Sequence, residues 1–421
     1  MTMKEHIELL PHQQQALERT EGFSSVAYYH DMGLGKTFLG AEKLHRYNDK
    51  RALVICQKSK VTDWLVHFET YYDYKVYDFT KAIDVNFTGV AVINYDLLIR
   101  RPQILQICDF TLLLDESSMI QNDTAKRTKI VLKMKPNHII LLSGTPVGGK
   151  YENLYSQLKL LGVDMKKSEY YDKFIITRMM NIFVGGFSRM IRTVCGYKNI
   201  DQLNILLKQH GADFVKTEEV LTLPEQRFIP VYTDYDSHYT ELSEDRYTVL
   251  DDREMIADTP LKALLYMRVV CACCESRLNT LRDLFSSTSK HIVVFYNFTH
   301  ELELISATCK PRPYSVINGK SKDLTSFMNN DDGVVFVQYQ SGAMGLNLQI
   351  ADIIIYSSLP LSSELYEQSK KRIHRVGQRN TCTYYVLKCR NSIEDHIEKT
   401  LNMRKDYTDK LFEEYYERKA I

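Results

Sequence analysis

A short stretch near the amino terminus has the residue types and the spacing that bind phosphate. Residues His30–Thr37 (HDMGLGKT) follow an apolar run and precede an amphipathic helical pattern. Glycines allow backbone N–H groups to point at phosphate oxygens, and the positive end of the following helix adds to that anion site. We therefore predict that Gly33, Gly35, Lys36 and Thr37 bind a nucleoside triphosphate, with Lys36 on its phosphates and the Thr37 hydroxyl on Mg²⁺.

A pair of carboxylates follows another apolar run. In Leu112–Ser118 (LLLDESS) three leucines precede Asp115 and Glu116, roughly 80 residues after the phosphate-binding stretch. Acidic pairs also occur in the first turn of helices, but open parallel sheets place ligand groups where their strands end. We predict that Asp115 binds Mg²⁺ and that Glu116 activates the water that attacks the γ-phosphate.

These groups require a sheet that brings distant segments together. Short apolar runs alternate with helical patterns along the chain, which predicts an α/β fold with parallel sheets made of strand–helix–strand units. Several runs consist of Val, Ile and Leu throughout, as do strands that are covered on both faces. The predicted strands are Val26–Tyr29, Ala52–Cys56, Val90–Asn94, Thr111–Leu114 and His138–Leu142, then His291–Phe295, Val334–Val337, Asp352–Ser357 and Thr383–Leu387.

The two sets of runs predict two lobes, separated by a stretch in which apolar residues recur at helical spacing. The boundary is expected near Leu221–Pro230. The predicted parts are a first lobe over residues 1–225 with a helical extension at about 151–225, and a second lobe over residues 226–421 with a helical part at about 234–286, a sheet at about 290–390 and a C-terminal helix over Ile393–Arg418.

The composition is that of an average globular protein and excludes a largely disordered chain. The 421 residues include 54 Lys and Arg and 53 Asp and Glu, and 44% are hydrophobic. Neither a long apolar run nor an N-terminal apolar stretch is present, so we expect no membrane span, no secretory signal and a cytoplasmic location. Cys271, Cys273 and Cys274 lie close together, but no second Cys or His pair follows at zinc-site spacing. Buried thiols are therefore the favoured interpretation.

A basic segment in the second half has the most specific pattern. Gln368–Gln378 (QSKKRIHRVGQ) resembles the Gln-x-x-x-Arg-x-His-Arg-x-Gly-Gln signature of Swi/Snf-type ATPases of helicase superfamily two. Those ATPases carry the same DMGLGKT loop and, like this chain with its His30, lack the first glycine of a strict phosphate loop. On a helix, Arg372 and Arg375 would share a face. The resemblance implies that both act as arginine fingers on the γ-phosphate.

The resemblance extends over Leu9–Ile397. Leu10–Gln14 is similar to the family's adenine-recognition motif, with Gln13 as the amide that reads the base. Leu53–Ser59, followed by Trp64, and Ser341–Leu348 resemble motifs that contact the tracked DNA strand, although Trp64 is equally consistent with a core anchor.

Another segment, Ser143–Pro146 (SGTP), ends an apolar run. In superfamily-two helicases this position joins the ATP site to the nucleic-acid site. Because glycine and proline favour turns, a plain turn is the alternative interpretation.

The resemblance implies two RecA-like lobes with helical insertions between them, and ATP and Mg²⁺ at the site. It implies a monomeric DNA-dependent ATPase that couples hydrolysis between the lobes to movement along double-stranded DNA and remodels or displaces DNA-bound structures, including proteins. One alternative is a strand-separating helicase, although no wedge element is evident in the sequence. An RNA-directed motor is disfavoured by the signature, and a nucleotide-gated scaffold without turnover is disfavoured by Lys36, Glu116 and both arginines. A bare motor of this kind suggests a bacterial cell or a phage-infected one.

Overall fold

The structure, a computed structural model, describes residues 8–148, 150–184, 187–342 and 348–403. The chain divides into two compact units, Met1–Leu221 and Thr222–Ile421. Each unit contains its own seven-stranded sheet.

The sheet of the first unit is parallel and has the strand order β3-β4-β2-β5-β6-β1-β9. The strands of this unit are β1 Ser25–His30, β2 Arg51–Cys56, β3 Val76–Asp78, β4 Gly89–Asn94, β5 Phe110–Asp115, β6 His138–Leu142, β7 Ile175–Val184, β8 Phe187–Tyr197 and β9 Ala212–Val215. All five strands predicted in this half are confirmed; β3 and β9 are short and extend the sheet at its edges.

Both faces of this sheet are buried, which explains why its central strands are apolar throughout. Strand side chains alternate between the two faces. Leu53 and Ile55 belong to one hydrophobic cluster, whereas Val54 and Cys56 belong to another. The helices of the unit are α1 Pro11–Arg19, α2 Lys36–Tyr47, α3 Val61–Tyr71, α4 Lys126–Val131, α5 Tyr155–Leu160, α6 Lys167–Phe174, α7 Ile200–Gln209 and α8 Thr217–Val220.

The prediction of a helical extension at about 151–225 is wrong between Ile175 and Tyr197. There β7 and β8 form an antiparallel ribbon, with a register shift between Ile176 and Thr177. The segment is rich in Ile, Val, Thr and Phe, residues that favour strands. A Gly-Gly pair, a common hairpin signal, separates the two runs in the sequence.

The sheet of the second unit has the order β10-β18-β17-β13-β16-β14-β15. Its described pairings are parallel except that of the short β15 with β14. The strands of this unit are β10 Gln226–Thr233, β11 Tyr247–Leu250, β12 Arg253–Ile256, β13 Ile292–Tyr296, β14 Tyr314–Ile317, β15 Lys322–Asp323, β16 Val334–Gln338, β17 Ile353–Tyr356 and β18 Cys382–Cys389. The four strands predicted in this half are confirmed.

The predicted helical part at about 234–286 is wrong over Tyr247–Ile256, where β11 and β12 form a hairpin. Asp251 and Asp252, between the strands, both adopt positive φ angles of 47° and 60°. Two such residues form the turn whose twist suits a tight hairpin.

The helices of the second unit surround its sheet. They are α9 Ser237–Glu244, α10 Pro260–Cys273, α11 Glu275–Ser286, α12 Thr299–Thr308, α13 Thr325–Asn329, α14 Tyr339–Gly342, α15 Ser363–Lys370 and α16 Ile393–Asn402. The predicted C-terminal helix begins at Ile393 as expected, while its part beyond Met403 lies outside the described residues. Among the residues described, no helix has the length and apolar character needed to cross a bilayer.

Candidate functional site

The phosphate-binding stretch forms a loop between the end of β1 and the start of α2. Gly33 and Gly35 have φ angles of +88° and +71°, a conformation that side chains other than glycine rarely adopt. A Cβ atom on Gly35 would lie 2.4 Å from Nε2 of Gln13. Helix α2 begins at Lys36, so its first N–H groups and the loop lie at the same end of the sheet, the arrangement that binds anions.

Lys36 is held by the loop itself. Its Nζ donates to the backbone carbonyls of His30 at 2.8 Å and Asp31 at 3.1 Å. Burial lowers the pKa of the Lys36 ammonium, while the charges of Glu116, Asp115 and Asp31 act in the opposite direction. Lys36 is therefore within electrostatic reach of the acidic pair, although the two motifs are far apart in the chain.

The acidic pair lies at the end of β5, two strands from β1 in the sheet. Burial raises the pKa of the Asp115 carboxyl. Trp64 donates from Nε1 to Asp115 Oδ2 at 2.8 Å and is also buried in the core of the unit. The interpretation of Trp64 as a core anchor is therefore confirmed, and its indole also orients an acid of the candidate site. The predicted contact of its motif with a DNA strand stays a prediction.

Glu116 has an unusual backbone and a fixed carboxylate. Its φ and ψ angles of 57° and 65° are left-handed, a conformation that costs free energy in a residue other than glycine and that concentrates at functional sites. The hydroxyls of Ser118 and Ser143 both donate to Glu116 Oε1 at 2.8 Å. A Cβ atom on Gly144 would lie 3.3 Å from Lys36 Nζ. The SGTP segment thus contacts Glu116 directly and lies beside Lys36.

The sequence analysis missed Gln157, a fully buried side chain of α5. Its Oε1 accepts from Ser117 at 2.8 Å and Tyr29 at 3.0 Å, and its Nε2 donates to the Pro146 carbonyl at 2.9 Å. One amide therefore connects β1, the segment after β5 and the segment after β6. The sequence did contain a signal for it: Gln157 is a polar residue beside Leu154 and Leu158, apolar residues that recur at helical spacing.

Behind the loop, His30 occupies the place of the usual first glycine and takes part in a buried polar network. Its Nε2 lies 2.7 Å from Asp213 Oδ2, and Arg19 binds both oxygens of the same carboxylate at 2.6 and 3.0 Å. Burial acts to raise the pKa of Asp213, but the hydrogen bonds and charges of His30 and Arg19 outweigh it and hold that pKa below its usual value. Burial lowers the pKa of His30.

Gln13 lies beside the loop, and its amide contacts the protein. Its Oε1 accepts from the Leu10 N–H at 2.9 Å, while its Nε2 donates to the Leu34 and Gly35 carbonyls at 3.2 and 3.1 Å. In this conformation Gln13 holds the loop; reading a base would require it to exchange one of these bonds.

The groups proposed for Mg²⁺ fit that ion chemically. Thr37 offers a hydroxyl in the first turn of α2, and Asp115 offers a carboxylate at the end of β5. Mg²⁺ is bound in proteins by oxygen ligands of this kind, together with phosphate oxygens.

In the second unit, the prediction that Arg372 and Arg375 share a helix face is wrong. Helix α15 ends at Lys370, and both arginines lie in the turns that follow. Carbonyls at this point bind other parts of the chain. The Tyr384 hydroxyl donates to the Lys370 carbonyl at 3.0 Å, and the Leu348 N–H donates to the Arg372 carbonyl at 3.3 Å.

The other polar residues of the signature hold this turn, Lys371–Gln378, in place. His374 Nε2 lies 2.8 Å from the Pro224 carbonyl. Gln378 donates to the carbonyls of Gln349 and Ala351 and accepts from two backbone N–H groups. Arg375 is half-buried, and burial lowers the pKa of its guanidinium. We call this segment the arginine turn.

Comparison with known protein families decides the class. Residues 16–242, more than half of the chain, match the SNF2-related domain. The chain belongs to the SNF2-related family. Residues 276–377 match the helicase conserved C-terminal domain. The Swi/Snf-type resemblance and the α/β fold with two parallel-sheet lobes are thereby confirmed for this SNF2-related protein.

Individual SNF2 relatives are distant in sequence. The chain is 24% identical to a Caenorhabditis elegans homologue of SWI/SNF-related matrix-associated actin-dependent regulator of chromatin subfamily A-like protein 1, over 92% of this chain and 59% of that protein. It is 21% identical to an uncharacterized ATP-dependent helicase of Mycoplasma pneumoniae, over 87% of this chain and 38% of that protein. The chain thus spans less than two thirds of these relatives. The SWI2/SNF2 ATPase core of Sulfolobus solfataricus in complex with dsDNA shares 18% identity with a TM-score of 0.45, covering 96% and 93% of the two chains.

The predicted strand-contacting motif Ser341–Leu348 includes residues 343–347, which lie outside the described residues.

The three neighbouring cysteines Cys271, Cys273 and Cys274 are buried as expected, and Cys389 of β18 is buried as well. Ligand atoms of Cys271, Cys389 and Glu394 lie within 4.8 Å of one another. The buried Arg277 pairs with Glu394 and donates to Cys389 Sγ at 3.5 Å, so a guanidinium already supplies positive charge there.

Proposed function

We propose that this SNF2-related chain is an ATP-dependent motor that moves along double-stranded DNA and remodels or displaces structures bound to it. The observation that carries the proposal is the arrangement of Lys36, Asp115 and Glu116 at one edge of a parallel sheet, with Ser143 bonded to Glu116. Together with membership of the family, this arrangement favours a nucleotide hydrolase over a scaffold that only binds.

The roles of the first unit follow from its contacts. Lys36 exchanges the two loop carbonyls for phosphate oxygens, and the N–H groups of the loop and of α2 surround the phosphates. The Glu116 carboxylate, oriented by Ser118 and Ser143, takes the proton of the water that attacks the γ-phosphorus in line with the leaving oxygen. Mg²⁺, held by Thr37 and Asp115, would neutralise phosphate charge.

Arg372 and Arg375 are proposed to stabilise the charge that develops on the γ-phosphate. Burial of the Arg375 guanidinium makes its charge costly in the absence of an anion, so a phosphate bound there would be favourable. The turn that carries them is held to its own sheet through His374 and Gln378. Movement would follow if ATP binds more tightly to one arrangement of the lobes than to another.

The substrate is proposed from the family and from the names of its members. Relatives are named as regulators of chromatin and as ATP-dependent helicases, which favours DNA as the track. Contacts to backbone phosphates would make binding tolerant of sequence and sensitive to salt.

A pair of DNA substrates tests this function. A duplex carrying a third strand should lose that strand in the presence of ATP, while a forked duplex of equal length should stay paired. Duplex DNA should also raise phosphate release several-fold. Efficient fork unwinding without displacement of the third strand would assign the chain to the strand-separating helicases instead. Absence of phosphate release with every nucleic acid would assign it to the scaffolds.

A further inference from the structure

The ribbon β7–β8 has a charge pattern unlike that of the chain as a whole. From Lys173 to Ile200 the sequence has five basic residues and no Asp or Glu, whereas the whole chain has 54 basic and 53 acidic residues. The five are Lys173, Arg178, Arg189, Arg192 and Lys198. We call the strand pair Ile175–Val184 and Phe187–Tyr197 the basic ribbon.

The base of the basic ribbon is anchored in the first unit. Ile175 is buried in the core, Val194 packs against the same cluster, and the Tyr197 hydroxyl donates to Glu152 at 2.9 Å. The position of the ribbon is therefore determined by the sheet that carries Lys36 and Glu116.

Farther along, both of its faces present basic and apolar side chains. Met179 is paired with Arg192, and on the other face Arg178 is paired with Thr193. Met179 and Met190 are 58% and 61% exposed. Arg192 donates to the Thr177 hydroxyl at 2.7 Å and lies 3.8 Å from the exposed Asp172, yet about half of its side chain is open to solvent.

A two-stranded ribbon with exposed methionines is marginally stable by itself and is typical of a surface that a partner covers. Ribbon geometry alone does not require positive charge. The hairpin Tyr247–Ile256 of the second unit carries Asp251, Asp252 and Glu254 against a single Arg253. The basic ribbon therefore carries a net positive charge that an anionic partner could bind.

We propose that the basic ribbon binds duplex DNA, with Arg178 and Arg192 on backbone phosphates. The arginines and the exposed methionines would contact the phosphates and sugars of the duplex backbone. This inference rests on the proposed function, because it names a surface with which the motor holds its track. A protein partner would be expected to leave the salt dependence of DNA binding unchanged.

Two exposed cysteines allow a first test on the wild-type protein. Cys195 lies on the basic ribbon, and Cys108 precedes β5 at the edge of the sheet opposite the phosphate loop. Alkylation by N-ethylmaleimide, followed peptide by peptide by mass spectrometry, should slow several-fold at Cys195 when duplex DNA is added. Cys108 serves as the internal control and should react at the same rate. Equal rates at Cys195 with and without DNA would overturn the inference.

A second test replaces charge. The double variant Arg178→Gln/Arg192→Gln should reduce the slope of log affinity for duplex DNA against log salt by about 1.8, since each phosphate contact contributes about 0.9. The double variant Arg178→Lys/Arg192→Lys loses the bond from Arg192 to Thr177 but keeps both charges, so it should retain the wild-type slope. The control Arg253→Gln/Arg282→Gln removes two exposed arginines of the second unit and should change nothing. Hydrolysis of ATP without DNA should be unchanged in all three.

The outcomes separate this inference from the proposed function. If the wild-type protein neither binds duplex DNA nor hydrolyses ATP faster with it, the proposed function fails. If the wild type does both but the Gln pair keeps the wild-type slope, only the role of the basic ribbon fails. Equal losses in the Gln and Lys pairs would attribute the effect to folding of the ribbon and would also overturn the charge contact.

Discussion

Two parts of the molecule are built in different ways: the end of the first sheet that carries Lys36, Asp115 and Glu116, and the arginine turn of the second unit. In the first, Lys36 and Glu116 are each held by two hydrogen bonds, and Asp115 by Trp64, at the ends of parallel strands of one sheet. In the second, the arginines follow the end of a helix, and other residues of the signature fix the turn. A regular sheet edge suits groups that must keep fixed distances, whereas an irregular turn suits side chains that reach for a ligand. We therefore expect nucleotide binding and proton transfer to depend on the first unit, and the second unit to add positive charge.

The largest effect is expected from Lys36→Ala, which removes the cation of the loop. A charge-assisted hydrogen bond contributes about 1.5–3 kcal/mol, so ATP should bind about 10- to 100-fold more weakly. The rate constant kcat should fall by a further factor of about 10²–10³. Equilibrium binding of a fluorescent ATP analogue and phosphate release measure the two parts. Unchanged nucleotide affinity would contradict the assignment of the loop.

Glu116→Gln should separate ATP hydrolysis from ATP binding at the same site. The amide keeps the shape of the side chain and can still accept from Ser118 and Ser143, but it does not accept a proton. We expect kcat to fall by about 10²–10⁴-fold while ATP affinity stays within a factor of about three of the wild type, since RT ln 3 is below 1 kcal/mol. Single-turnover hydrolysis with saturating protein checks this, and normal turnover would remove Glu116 from its role.

Arg375→Ala tests whether the second unit contributes charge to the reaction. A finger arginine contributes on the order of 10³-fold to kcat, and DNA affinity without nucleotide should change little. Arg379→Ala, an exposed arginine just beyond the same turn, is the matched control and should hydrolyse ATP normally. Loss of DNA binding with normal hydrolysis would make the arginine turn a DNA contact.

Ser143→Ala tests the connection between the SGTP segment and Glu116 and should have a smaller effect. Removing one hydrogen bond to a carboxylate costs about 1.5–3 kcal/mol at most, and Ser118 still orients Glu116, so we expect kcat to fall roughly tenfold. If the segment transmits DNA binding, the ratio of DNA-stimulated to unstimulated phosphate release should fall as well. An unchanged ratio would restrict Ser143 to positioning Glu116.

The smallest effect on activity is expected from Asp213→Asn, which should act on stability. Neutralising a carboxylate between His30 and Arg19 should lower the free energy of unfolding by about 1–3 kcal/mol at pH 7. Because the pKa of Asp213 is held low in the folded state, its stabilisation is present above the ordinary carboxyl pKa of about 3.9 and is lost as pH falls through the lower folded value. The difference between variant and wild type should therefore narrow in acid. Trp64, the single tryptophan, is buried in the first unit, so its fluorescence follows the unfolding of that unit.

The local sequence pattern was sufficient to predict those elements whose structure depends on residues close together in the chain. All nine predicted strands are present because buried parallel strands need continuous runs of Val, Ile and Leu, which are visible in the sequence. The loop of Gly33 and Gly35 is also local, since positive φ angles require glycine there. The roles of Lys36, Glu116 and the arginines remain predictions.

In two other segments the prediction from local sequence was wrong. The expected helix through Arg372 and Arg375 ends at Lys370, where Tyr384 and Leu348, from other parts of the chain, bind the carbonyls of Lys370 and Arg372. The expected helical extension was wrong at the basic ribbon, where strand-favouring residues and a Gly-Gly pair were visible in the sequence and the two halves pair as strands.

The sequence by itself determined the positions of the strands along the chain, the glycine loop before Lys36 and the acidic pair, each of which depends on residues within one short segment. It also determined membership of the family, which depends on several such segments. Only the tertiary structure decided which side chains hold those segments. Gln157 lies 40 residues from Ser117, and Asp213 lies 183 residues from His30. The physical reason is that a hydrogen bond between distant residues depends on how the chain closes around its sheet, and no spacing in the sequence encodes that closure.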